Sequence, residues 1–219
     1  MDLIRVKQRG YKNSGIVDIP NIIEGITGFH KKLKTKDEYQ DFVENNTLHN
    51  HFTSYLFHAC IRFSNGNVIE VGTGQSTIFM YVASLISGFT FTTIDSNKIS
   101  FDTVKKDLLR DGIDGSNSNM ILGNCMDIDY SEYENLKLFF YDGDKEYNVI
   151  EYTLLNALPN LIDGGIFVMH DYNGGVPNIV NPILENLGFS KMTEINFIDD
   201  NGKSCDAETL FCVKDAKYK

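Results

Sequence analysis

From residue 67 onward, short apolar runs alternate with amphipathic stretches. Asn67–Val71, Phe89–Asp95, Asn119–Leu122, Leu136–Tyr141 and Gly165–Met169 have the length and apolar content of strands. Between them Ser76–Ser87, Ser100–Asp111, Tyr147–Leu158 and Val176–Leu187 carry apolar residues at helical spacing. The second helix is expected to bury Val104, Leu108 and Leu109 on one face, and Pro177 suits the first turn of the last. Two more strands, near Phe189–Phe197 and Thr209–Val213, follow each other across Asp199-Asp200-Asn201-Gly202, which predicts a closing hairpin. Strands alternating with helices predict an α/β fold, a mainly parallel sheet with helices on both faces. Upstream, residues 1–35 read as polar coil with short strands. Residues 36–46 and 50–62 read as helices, the latter with Phe52, Tyr55, Leu56, Ala59 and Cys60 in register. The chain therefore divides near residue 65, into an extension or lid over 1–64 and a domain over 65–219.

Bulk numbers narrow the function classes. A chain of 219 residues with 42% hydrophobic and 23% charged residues is ordinary for one soluble domain with a small extension. A net charge of −10 argues against nucleic-acid binding, which needs a basic face. Arg5, Lys7, Arg9, Lys12, Lys31, Lys32, Lys34 and Lys36 crowd the first 36 residues. They read as a solvated surface, or as an arm that meets an acidic substrate. Cys60, Cys125, Cys205 and Cys212 form no C-x-x-C pair and have no zinc spacing, which suits reduced thiols in a cytoplasmic protein. No apolar leader begins the chain and no window nears 18 apolar residues, so no membrane contact is expected.

The chemistry concentrates at strand ends. Val68 to Thr77 reads Val-Ile-Glu-Val-Gly-Thr-Gly-Gln-Ser-Thr, a strand, a turn and a helix start. Gly72 and Gly74 let a ligand approach the backbone, and Ser76 or Thr77 can cap the helix. The third glycine of a dinucleotide fingerprint is replaced by Thr77, and there is no G-K-[ST] phosphate loop. Asp95 ends the second strand about 20 residues downstream, where a carboxylate accepts hydrogen bonds from ribose hydroxyls. Capping of the following turn is the simpler use of the same residue. Asn124, after the third strand, is placed to edge a base. Leu136–Tyr141 delivers Asp142, and Gly165–Met169 delivers His170 and Asp171. If those strands are neighbours, two carboxylates and an imidazole converge. Oxygen ligands favour Mg²⁺, and the imidazole tilts the set towards Mn²⁺, Fe²⁺ or Zn²⁺. Taken singly, Asp142 also reads as a pocket wall, His170 as a scaffold residue and Asp171 as a turn cap.

The form Glu70-Val-Gly72-Thr-Gly74 resembles the first motif of class I S-adenosylmethionine (SAM) methyltransferases, and the resemblance runs over roughly Asn67 to Val213. Asp142-Gly-Asp144-x-x-Tyr147, Leu158-Pro159, Gly164-Gly165 and His170-Asp171-Tyr172 resemble a branch found with sugar- and polyketide-modifying O-methyltransferases, related to the metal-dependent catechol type. The resemblance implies a Rossmann-like, seven-stranded sheet with a reversed last strand. It implies a cofactor site of Glu70, Gly72, Gly74, Ser76, Asp95, Asn124 and Asp142, and a Mg²⁺ or Mn²⁺ site of Asp142, His170 and Asp171. His170 departs from the Asp that many relatives carry there. Lys145, three residues after Asp142, falls where the catechol type has its catalytic base.

The implied reaction is methyl transfer to a hydroxyl of a small molecule such as a sugar, polyketide or phenol. Lys145 or His170 takes the proton, and residues 1–64 cover the acceptor. A metal-independent methyltransferase with His170 as base, and a cofactor-fold binding protein without turnover, are the alternatives. A dehydrogenase is disfavoured by Thr77. Oligomeric state is left open, with the N-terminal helices as candidate contacts in a homo-oligomer.

Overall fold

The computed structural model describes residues 2–9, 60, 63, 65–110, 118–189, 191–198 and 209–215. Its strands are β1 (Asp2–Arg9), β2 (Asn67–Val71), β3 (Thr90–Asp95), β4 (Ser118–Leu122), β5 (Leu136–Tyr141), β6 (Leu161–Met169), β7 (Lys191–Ile198) and β8 (Thr209–Val213). Its helices are α1 (Gln75–Ser87), α2 (Lys98–Arg110), α3 (Tyr147–Ala157) and α4 (Val176–Asn186). The helices read from sequence at 36–46 and 50–62 lie outside the described residues, apart from Cys60, which is helical and buried.

All eight strands form one sheet, in the order β1-β7-β8-β6-β5-β2-β3-β4. The architecture is Rossmann-like. β2 pairs parallel with β3 and β5, β3 with β4, and β5 with β6. β8 runs antiparallel to both β6 and β7, so the last strand is reversed and the terminal hairpin forms. The expected count of seven is exceeded because β1 adds to the outer edge of β7, parallel to it from Asp2↔Lys191 to Arg9↔Ile198. Residues 2–9 thus belong to the sheet rather than to a separate extension.

The sheet order reverses direction between β2 and β5. Successive right-handed crossovers therefore set α1 and α2 over one face, and α3 and α4 over the other. Burial on both faces explains the near-continuous apolar runs: Phe139, Phe140 and Tyr141 on β5, and Phe167, Val168 and Met169 on β6, are all inaccessible. Phe139 stacks on Phe167 at 6.2 Å and meets Tyr130 edge-on at 5.8 Å. α3 contributes Val149, Ile150 and Leu154, and α4 contributes Val180, Ile183 and Leu184.

On α2 the buried stripe is Phe101, Val104 and Leu108, whereas Leu109 is 69% exposed. One residue is 100° of helix, so of two adjacent leucines only one can stay on the stripe. Lys214 is buried just after β8. Its ammonium donates to the carbonyls of Leu158 (3.2 Å), Pro159 (3.2 Å) and Leu161 (2.5 Å), closing the turn that leaves α3.

Candidate active site

The reversal between β2 and β5 opens a crevice at the carboxyl ends of the strands, where sheets of this kind bind ligands. The β2–α1 turn forms one wall. Gly72 sits at φ 96°, and a Cβ there would lie 2.3 Å from the Asp142 carbonyl oxygen, so only glycine fits. Its N–H donates to Ile94 O (2.8 Å), while Asp142 N–H donates to Val71 O (2.8 Å). The turn is thereby tied to β3 on one side and to the end of β5 on the other. Gly74 is extended, and a Cβ on it would meet nothing within 4 Å, which leaves open space before α1.

Glu70 and Ser76 lie behind the turn rather than in the crevice. Glu70 is fully buried. Its Oε1 accepts from Ser76 (2.5 Å), and its Oε2 accepts from Thr77 (2.6 Å) and Thr93 (2.7 Å). Burial pushes the Glu70 carboxyl up to about 8; the three hydroxyl bonds oppose this and the charge of Asp142 adds to it. Thr77 also accepts from Gly74 N–H at 2.9 Å. The sequence expectation of a Ser76 or Thr77 cap is corrected here: Gly74 is the N-cap residue and Thr77 reaches back to it. Thr93 faces Glu70 across the β2–β3 ladder, a partnership that needs the strand register to be seen.

Asp95 makes the turn cap foreseen for it and a second bond to the glycine turn. Its Oδ1 accepts from Asn97 N–H (2.7 Å), capping the local turn. Its Oδ2 accepts from Thr73 N–H (2.9 Å), which turns the carboxylate towards the glycines. Each oxygen keeps acceptor capacity. Thr73, not singled out from sequence, also bonds Thr93 through its hydroxyl at 3.2 Å. Asn124 Oδ1 accepts from Met126 N–H (3.0 Å), starting a short 3₁₀ turn over Cys125–Asp127.

At the other wall, β5 and β6 are neighbours, with Tyr141 opposite Met169. This brings Asp142, His170 and Asp171 together, each offering one donor atom within 4.8 Å of the others. His170 Nδ1 is 3.3 Å from Asp142 Oδ1 and 3.8 Å from Asp171 Oδ1. Ligands bound about 2.1 Å from one ion stand about 3 Å or more apart, so this donor set fits a divalent cation. Asp171 holds φ 56°, a left-handed conformation uncommon outside glycine. Lys145 joins the cluster: its Nζ lies 3.4 Å from Asp142 Oδ1, 3.7 Å from Asp171 Oδ2 and 3.1 Å from His170 O, and 5.6 Å from the Tyr141 ring centroid. The Tyr141 hydroxyl donates to Asp144 O (2.6 Å), fixing the loop that carries Lys145.

No protein-family model and no curated protein matches the chain. Solved structures with the same fold do. The O-methyltransferase NovP superposes with a TM-score of 0.60 at 14% identity, covering 90% of this chain and 98% of its own. An O-methyltransferase from Bacillus cereus, in complex with SAH, gives 0.59 at 17%, covering 89% and 91%. An rRNA methylase from Streptococcus thermophilus gives 0.57 at 14%, covering 74% and 96%. The chain therefore has the Rossmann-like fold of these methyltransferases.

Proposed function

We propose that the chain is a SAM-dependent methyltransferase acting on a hydroxyl of a small molecule. The carrying observation is the Thr73 N–H bond to Asp95 Oδ2, which draws an acidic strand end against a glycine turn beside an open approach. The spare lone pairs of Asp95 accept the ribose hydroxyls. Gly72 and Gly74 admit the amino-acid tail, and Asn124 borders the adenine. Glu70 and Ser76 act from behind by fixing the turn, and Asp142 closes the far wall. The bound donor supplies an electrophilic methyl group on a sulfonium.

The acceptor enters over Asp142, His170 and Asp171, which would hold a divalent cation, with Mn²⁺ preferred over Mg²⁺ because of the imidazole. Such an ion lowers the pKa of a bound hydroxyl. Lys145, three residues after Asp142 on the same loop, is the general base that takes the proton. A small-molecule acceptor is favoured over RNA by the net charge of −10, and because the two O-methyltransferases cover 89–90% of the chain against 74% for the rRNA methylase. A second reading makes His170 the base without a metal; the 3.3 Å approach of Asp142 to Nδ1, which would orient the imidazole, favours it.

Thermal unfolding with S-adenosylhomocysteine, with and without Mn²⁺, tests the scheme. Ligand at 100 times its Kd adds about 2.7 kcal/mol, a rise of about 5–10 °C for a domain of this size. No rise with S-adenosylhomocysteine refutes the cofactor assignment. Activity that survives chelation and Asp142→Ala refutes the metal and leaves His170.

A further inference from the structure

We propose that Lys145 is the built-in counter-cation of the Asp142–His170–Asp171 cluster, and that a divalent ion binds only by displacing its ammonium. The inference rests on reading that cluster as a cation site. Two carboxylates brought to one strand edge repel each other unless a positive charge stands between them. Lys145 supplies that charge, with Nζ 3.4 Å from Asp142 and 3.7 Å from Asp171. The ammonium is also held from the side: it donates to His170 O at 3.1 Å and lies 5.6 Å from the centre of the Tyr141 ring. It is thus an anchored occupant, not a passing surface charge. An incoming divalent ion needs the same carboxylate oxygens and is repelled by the same ammonium. Removing the ammonium leaves the donors in place with their charge uncompensated.

The consequence is opposite to that of a lysine that helps to hold the ion. Mn²⁺ is titrated into the unaltered protein and into Lys145→Met and Lys145→Gln, and the free ion is read by electron paramagnetic resonance. Circular dichroism checks the fold. Both neutral variants are expected to bind Mn²⁺ at least tenfold more tightly than the unaltered protein. Lys145→Arg keeps the charge and should stay within about twofold of the unaltered protein. Adding Asp142→Asn to Lys145→Met should abolish the gain, which assigns it to this cluster.

In the unaltered protein, Mn²⁺ should also increase acylation of Lys145 by acetic anhydride, read by mass spectrometry, a measurement that needs no variant. Equal Mn²⁺ affinity with and without the ammonium overturns the proposal. So does a gain that survives Asp142→Asn, or no Mn²⁺ uptake by any of the proteins. Stabilisation by S-adenosylhomocysteine is measured separately. If it persists while the Mn²⁺ result fails, only the competition falls; if it is absent, the methyltransferase reading falls.

Discussion

Replacing Glu70 by Gln should make the protein more stable in alkaline solution. In the unfolded chain this carboxyl ionises near 4.5, whereas in the fold burial holds it protonated up to about 8. Between those values the native state binds more protons than the unfolded one, so stability falls as pH rises. At about 1.4 kcal/mol for each pH unit, the span from 4.5 to about 8 amounts to about 5 kcal/mol. That loss begins above pH 4.5 and is complete above pH 8. Gln has nearly the same shape, and its amide can still meet the hydroxyls of Ser76, Thr77 and Thr93, which rotate freely enough to reverse a bond. Glu70→Gln should therefore match the parent protein near pH 5 and exceed it by several kcal/mol at pH 9. Urea unfolding across pH 5–9, followed by circular dichroism, measures both curves. Parallel curves would show that Glu70 ionises normally in the fold, and the account of its buried hydroxyl cage would be wrong.

Three other substitutions probe the remaining joints. Gly72→Ala puts a methyl 2.3 Å from the Asp142 carbonyl at a φ of 96°; backbone strain of about 1–3 kcal/mol should appear in urea unfolding, with loss of S-adenosylhomocysteine binding in calorimetry. Asp95→Ala leaves the Thr73 and Asn97 amides without their acceptor, and cofactor affinity should fall about 10- to 100-fold, as expected for bonds to a charged group. Lys214→Met keeps the bulk of the side chain but strips three carbonyls of their donor. It should cost about 2–4 kcal/mol in chemical unfolding while leaving the Kd for S-adenosylhomocysteine unchanged.

The βα alternation was legible because each strand is buried on two faces and each helix on one, so composition and period point the same way. Asn67–Val71, Leu136–Tyr141 and Thr209–Val213 have the bounds read from the sequence. β6 begins earlier than expected, at Leu161 rather than Gly165: Leu161 pairs with Leu136, the register to β5 shifts before Ile166, and Gly164 and Gly165, which local propensity treats as a break, exchange hydrogen bonds with Lys214 just after β8. Asp95, Asp142, His170 and Asp171 could be placed from sequence because strand ends are fixed by the runs that precede them. The cage around Glu70 could not: Thr93 lies 23 residues away, and its hydroxyl reaches the carboxyl only through the β2–β3 register. Lys214 was equally hidden, since a lysine following a terminal strand carries no local sign that three carbonyls await it. β1 was read as coil with short strands because only its partner β7 gives it a reason to be extended.

The pairing of Asp2–Arg9 with Lys191–Ile198 has a consequence for biogenesis. β1 must wait until its sequence-distant partner β7 has been made before it can add to the sheet, so the outer margin of β7 stays open until the two segments meet. Until then both partners expose unsatisfied amides and carbonyls to neighbouring chains. Deleting the first nine residues would make that temporary hazard permanent, and the shortened polypeptide should precipitate at concentrations that the intact one tolerates.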